Sequence, residues 1–170
     1  MTYDDDVTEV NTAAVHPCDA AHELLPTSDL HWLLHRAAQR FREAMDAAVA
    51  PHGVGSMRAY LVLAALIREP GRTQLGLGAA LGLDKTTLTA VLDRLERQEL
   101  IARRPDPADR RVRIPEITES GRRAHAEVQP SVRAAECELL GMLDRPEQDV
   151  LRAILGKLVA GPGAPAGSCI

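Results

Sequence analysis

Apolar residues recur at three- and four-residue steps along most of this chain, and the recurrence fails in one place. Leu30, Leu33, Leu34, Ala37, Ala38, Phe41, Met45 and Ala48 trace one face of a long amphipathic helix, capped by Ser28 or Asp29 and stopped near Pro51 and Gly53. Ser56 is placed to cap a second helix through Tyr60, Leu63, Ala64 and Ile67, which the Pro70-Gly71 pair ends. Thr73 caps a third, covering Leu75, Ala79 and Ala80 and closed by Gly82. Asp84 caps a fourth, "KTTLTAVLDRLERQ", whose Leu88, Val91, Leu92 and Leu95 form one stripe. After the interruption, Glu119 to Leu143 reads as a long helix with Ala124, Val128, Val132, Ala135 and Leu139 on a face and a kink expected at Pro130. A last helix after Pro146 uses Val150, Leu151, Ile154, Leu155 and Leu158.

The interruption is "RRPDPADRRVRIPEIT", residues 103–118, with five arginines, three acids and three prolines. Leu100 to Arg104 and Arg111 to Ile117 suit a two-stranded ribbon, with Val112 and Ile114 on one face and Arg111 and Arg113 on the other. Pro105 and Pro107 stiffen the turn, and Asp106 and Asp109 can accept backbone N–H groups or orient an arginine. Pro115 demands an edge position, which a two-stranded ribbon provides.

Composition agrees with a mostly helical fold: hydrophobic residues make up 45% of the 170, yet aromatics only 2%, so the core is built from Ala, Leu and Val. The net charge of −4 conceals an asymmetry. Residues 1–29 carry seven acids and no Lys or Arg, which leaves +3 on the rest of the chain. The ends, residues 1–27 and the Gly/Pro/Ala-rich 161–170, lack apolar periodicity and are expected to be a mobile acidic arm and a mobile tail.

Three short helices followed by a charged ribbon predict a winged helix-turn-helix, with the fourth helix of the chain as the recognition helix. Opposite its apolar stripe lie Thr86, Ala90, Asp93 and Arg97, flanked by Thr87, Thr89 and Arg94. Short Thr and Ala side chains let a helix approach base edges in a major groove. Lys85, Arg94 and Arg97 suit phosphates, which position the helix without specifying sequence. The helix N-terminus from Asp84 to Thr87 is expected to present N–H groups to a phosphate. At the ribbon tip, Arg110 can enter a narrow minor groove, where the negative potential is enhanced.

At these residues the sequence resembles the MarR family of bacterial transcription regulators, over roughly Leu30 to Val159. "LGLDKTTLTAVLDRLERQELIARRPDPADRRVRIPEITESGRR" and "VAPHGVGSMRAYLVLAAL" carry the likeness, and Asp109, Arg110 and Arg111 match the family's wing ending. The resemblance implies a homodimer intertwined through its terminal helices. Residues 28–52 would be the N-terminal dimerisation helix, 53–118 the DNA-binding domain and 119–160 the C-terminal dimerisation helices. It further implies double-stranded DNA with a palindromic operator as partner, and repression relieved by a small aromatic or phenolic ligand or by an oxidant. Gly76 and Gly78 inside the third helix depart from good helix formers and question its rigidity.

Other chemistries have candidate residues too. "GLGAALG", residues 76–82, has the outline of a dinucleotide turn but follows "REPGRTQL" instead of a strand, so no cofactor and no catalysis are expected. His16, Cys18 and His22, or His31 and His35, could bind metal, but a helical pair alone supplies too few ligands. Cys18 sits in an acidic stretch and Cys137 between Glu136 and Glu138, which disfavours the thiolate an oxidant sensor needs. A metal- or redox-responsive regulator of the same fold, and more remotely a small-molecule enzyme, are the alternatives. Trp32, with His31, His35 and Arg36, is the candidate effector site, set against the plainer reading of Trp32 as packing. No apolar run approaches the ~20 residues that cross a bilayer, and no signal peptide pattern is present, so a cytoplasmic protein is expected.

Overall fold

The computed structural model describes residues 29–106, 109 and 112–160; the expected acidic arm and C-terminal tail lie outside the described residues. Of these, the residues up to Arg40 belong to one compact unit and those from Phe41 to another.

Helix α1 (Leu30–Val49) begins in the first unit. Asp29 takes the capping role, its Oδ1 accepting the N–H groups of His31 at 2.9 Å and Trp32 at 3.4 Å. Leu30 to Ala38 are exposed throughout.

In the second unit, α1 buries Met45 and Val49 and ends in a short 3-10 turn, Ala50–His52. Helix α2 (Met57–Arg68) follows, capped by Ser56 as its sequence predicts, and Asp46 accepts the Met57 N–H at 2.7 Å. Ala59, Tyr60, Val62, Leu63 and Leu66 make α2 the centre of the core. Leu63, Leu77, Leu92 and Leu95 are fully buried, each contributing about 2 kcal/mol of apolar burial.

Helix α3 (Gln74–Leu81), capped by Thr73, and helix α4 (Lys85–Arg97), capped by Asp84, turn by 111° about Gly82, which holds φ +61°. The glycine of interest in α3 is Gly78. A Cβ there would lie 3.1 Å from the Leu83 carbonyl oxygen and 3.3 Å from Leu88 Cδ2, so its bare backbone permits the close crossing of the two helices. At Gly76 a Cβ would meet only Thr73 Oγ1 at 3.5 Å.

The ribbon consists of β1 (Ile101–Pro105) and β2 (Arg113–Ile117), antiparallel, with Ile101 opposite Ile117 and Arg103 opposite Pro115. Bonds from Thr118 N to Leu100 O and from Asp106 N to Val112 O fix the phase: residues 100, 102, 104 and 106 stand at hydrogen-bonded pairs. Pro105 and Pro115 therefore both fall at non-hydrogen-bonded pairs, where the missing N–H costs the ladder nothing. Sequence pattern put Val112 and Ile114 on one face without saying which face is buried; Pro115 is the fully buried residue of β2, Ile117 is half-buried beside it, and Ile114 shares the outer face with Arg104 and Glu116. The parity was legible; which face met the core was decided by the register with Ile101, which is buried.

Helix α5 (Glu119–Leu140) starts at Thr118, whose hydroxyl accepts the Gly121 N–H at 3.0 Å. It runs unbroken through Pro130 and buries Val128 and Val132. Its first turn crosses the Leu100 carbonyl so closely that a Cβ on Gly121 would overlap that oxygen. Helix α6 (Arg145–Ala160) opens with a reciprocal cap, Asp144 and Glu147 each accepting the other's backbone N–H. None of its residues is buried, and Val150, Ile154, Leu155, Leu158 and Val159 are exposed.

Candidate nucleic-acid interface

Leu88, Leu92 and Leu95 anchor α4 in the core, which turns the other side of the helix outward. Lys85, Thr86, Thr89, Ala90, Asp93, Arg94 and Arg97 are all exposed, and Thr87 is half-buried. The structure thus brings the expected residues of this helix onto its outer surface, but it assigns several of them local partners.

Asp84 Oδ1 accepts the Thr87 N–H at 2.9 Å and Oδ2 accepts the Thr87 hydroxyl at 2.6 Å. These bonds, the hydroxyl first, hold the Asp84 carboxyl below its ordinary range. The expectation of open N–H groups at this helix end needs correction: the Thr87 N–H is already taken by the cap, because a carboxylate at that position is itself the anion the terminus attracts. Thr89 donates its hydroxyl to the Lys85 carbonyl at 2.7 Å, so the outward oxygens of Thr87 and Thr89 are left as acceptors. Arg97 Nε reaches the Asp93 carbonyl at 3.2 Å.

Two further side chains, Arg94 on α4 and Gln98 at its C-cap, reach across to the loop after α1. The Arg94 guanidinium lies directly over Gly55, whose φ of +102° and absent Cβ make room for it. Gln98 Nε2 donates to the Gly53 carbonyl at 2.9 Å. Both tie α4 to the loop after α1. Asp93 accepts from Arg103 of β1 at 2.6 Å, an ion pair joining helix and wing. Sequence reasoning passed over Arg103, although strand alternation from Ile101 puts it on the inward face and Asp93 and Glu96, one turn apart, offer it carboxylates. The Arg94 and Gln98 contacts had no local signal.

Asp109 is exposed at the wing tip. Arg110 and Arg111 lie outside the described residues.

Of the candidate effector residues, His31, Trp32, His35 and Arg36 are all exposed, Trp32 to 44%, and Arg36 Nη1 donates to Gln39 Oε1 at 2.9 Å. They share the first turns of α1, and among the described residues no further group is gathered around them into a site. Among the described residues no cluster of three metal-ligating side chains occurs. His16, Cys18 and His22 lie outside them, and Cys137 is an exposed thiol on α5. One pairing went unforeseen: Tyr60 and His125 stack with ring centroids 4.7 Å apart and planes 4° apart. Burial pushes the Tyr60 hydroxyl up, against the pull of Arg133, and pushes His125 down. No single described helix is long and apolar enough to cross a membrane.

Comparison with known proteins matches residues 52–112 to the sequence pattern of the MarR family. The transcriptional regulator HosA of Escherichia coli O111:H- is 33% identical over 100 residues, covering 59% of this chain and 74% of that protein. Among solved structures, the transcriptional repressor CouR bound to a 23-mer DNA duplex superposes with a TM-score of 0.71 at 32% identity, covering 76% of this chain and 92% of the other; CouR comes from Rhodococcus jostii RHA1. BpsR of Bordetella bronchiseptica, described with a mechanism for regulation of its DNA binding by 6-hydroxynicotinic acid, gives 0.74 at 26% identity over 81% of this chain and 97% of that one. An exposed polar helix, a charged ribbon fastened to it by an ion pair, and these likenesses lead to one conclusion: the chain belongs to the MarR family of winged-helix transcription regulators, which are DNA-binding proteins and not enzymes.

Proposed function

We propose that the protein is a cytoplasmic repressor that acts as a homodimer on a palindromic operator. Residues 53–118 form the DNA-binding domain, with Lys85, Thr86, Thr89, Ala90 and Arg97 over the major groove and Arg110 and Arg111 at the backbone and minor groove. Residues 28–52 and 119–160 join the two chains. The observation that carries this reading is the outward polar face of α4 with β1 ion-paired to its flank. The apolar stripe of α6, exposed to 50% at Ile154 and 63% at Leu158, supports pairing with a second copy.

Release by a small aromatic ligand is the second part of the proposal. CouR has been crystallised with p-coumaroyl-CoA, and BpsR is regulated by 6-hydroxynicotinic acid; both likenesses favour an aromatic acid or its thioester over a metal or an oxidant. Such a ligand lowers operator affinity only by its differential affinity for a dimer that cannot grip DNA. The test is a mobility shift on the intergenic DNA upstream of the protein's own coding region, titrated with salt. Arg97→Ala should weaken binding and reduce the slope of log affinity against log salt by about one unit for each phosphate that is no longer neutralised. Equal affinity for this DNA and a scrambled duplex of the same length would refute sequence-specific repression. A panel of hydroxybenzoates and hydroxycinnamates that leaves the complex intact would refute their use as inducers.

A further inference from the structure

We propose that Asp93, Glu96 and Arg103 form a clamp that fixes the reach of the wing, so that Asp93 acts on DNA as a positioning residue and not as a base reader; this rests on the reading of α4 and the wing as the DNA surface. Arg103 Nη2 meets Asp93 Oδ1 at 2.6 Å and Nη1 meets Glu96 Oε2 at 3.5 Å, while the Arg103 backbone N–H donates to Glu96 Oε1 at 3.2 Å. Glu96 therefore holds both main chain and side chain of one strand residue. The Arg103 side chain is only 18% exposed and its Nε is buried without a hydrogen-bond partner, so two carboxylates on one helix turn carry the guanidinium.

Position along the ribbon gives the clamp its leverage. Ile101 is buried at the root, Arg103 is the next residue on the same face, and Arg104 and Pro105 beyond it are exposed. Arg103 is thus the outermost point at which β1 is tied to α4. A two-stranded ribbon is too weak to set its own direction. From Arg103 to the tip the chain advances three or four residues at about 3.3 Å each, roughly 12 Å, so a tilt of about 10° displaces the tip by about 2 Å. That displacement takes an arginine out of hydrogen-bond reach of a phosphate or a base.

The alternative for Asp93, a carboxylate accepting from a cytosine amino group, has chemical precedent. Its carboxylate is half-exposed, but Arg103 already occupies it at 2.6 Å. The two roles differ in sign and in coupling. Removing an acid from a DNA-facing helix, with no other effect, relieves repulsion from phosphates and raises affinity for any duplex. Removing the clamp lowers it, and only while the wing tip has something to hold.

The experiment measures binding of the full chain to a duplex of roughly 30 base pairs from the intergenic DNA upstream of its coding region, by fluorescence anisotropy over a range of salt. Asp93→Asn is placed in the native background and in Arg110→Ala, and Arg103→Lys serves as a second route to the same loss with the charge kept. Asp93→Asn should weaken binding about tenfold in the native background and less than about twofold in Arg110→Ala. Arg103→Lys should fall between native and Asp93→Asn, and hydrogen exchange at the Arg104 and Ile114 amides should quicken in both. An equal loss in the two backgrounds, or a gain in affinity, overturns the clamp. If Arg110→Ala binds like the native chain, the wing is no DNA contact, and the underlying reading falls with the clamp.

Discussion

Replacing Gly121 by alanine should be among the most damaging single-methyl changes in this protein. The added Cβ would overlap the Leu100 carbonyl oxygen, a backbone atom that cannot rotate aside. That oxygen accepts the Thr118 N–H at 3.1 Å and lies 3.0 Å from the Thr118 hydroxyl, so moving it loosens the joint between β1, β2 and α5. Overpacking of this kind costs about 1–3 kcal/mol, and each weakened hydrogen bond adds about 1 kcal/mol. Against this stands a helix-propensity gain of at most about 1 kcal/mol. The net loss is about 2–4 kcal/mol. Gly76→Ala is the internal control: it offers the same propensity gain with only an ordinary contact, 3.5 Å to Thr73 Oγ1, and should stabilise by about 0.5–1 kcal/mol. Urea unfolding followed by far-ultraviolet circular dichroism, at equal protein concentrations because subunit association adds to stability, should lower the Gly121→Ala midpoint by about 1–2 M for a slope near 2 kcal/mol per M. A Gly121→Ala midpoint at or above that of Gly76→Ala would refute the reasoning from close approach.

Three other outcomes are expected. Asp84→Ala should lower the thermal midpoint near neutral pH; because the folded carboxyl is held below its ordinary value, the stabilisation is lost as pH falls through that value, so the two proteins should converge in acid, and a constant gap would argue against it. His125 is pushed below its ordinary value of 6.5 by burial, so the neutral ring favours the fold above that value and stability drains as pH falls through it; His125→Phe, which keeps a ring against Tyr60, should flatten the thermal midpoint between about pH 7.5 and about pH 5. Leu158→Glu, on the exposed stripe of α6, should shift sedimentation from dimer toward monomer and weaken operator binding while leaving circular dichroism of the remaining fold intact; an unchanged dimer would remove α6 from the interface.

The helices were legible because their ends announce themselves chemically. Ser56, Thr73 and Asp84 each cap the helix their sequence predicts, since a short oxygen-bearing side chain before an apolar stripe has little else to do there. The kind of site was legible too, because α4 needs one apolar stripe to anchor it and exposes the rest. What escaped was everything settled by chain segments far apart. Arg94 over Gly55 and Tyr60 against His125 join residues dozens of positions apart, with no periodicity to relate them. The spacing of Val150, Ile154, Leu155 and Leu158 marks a face of α6 that avoids water, but spacing does not say which chain covers it, and within one protomer these side chains stay exposed. In the ribbon, alternation separated two faces correctly and could not tell which would be inside.

The placement of Pro105 and Pro115 has a consequence beyond the ribbon itself. Both edges of a two-stranded sheet are open to a foreign strand, and the outward-pointing amides are those of the non-hydrogen-bonded residues. On β1, Pro105 has no such amide and the one on Arg103 is already given to Glu96; on β2, Pro115 deletes the central one. A projecting hairpin that must wait in water for its duplex thereby loses three of its six outward donors, including the middle one on each edge, which interrupts the ladder by which another copy could zip on and disfavours edge-to-edge aggregation when the protein stands unliganded at high concentration.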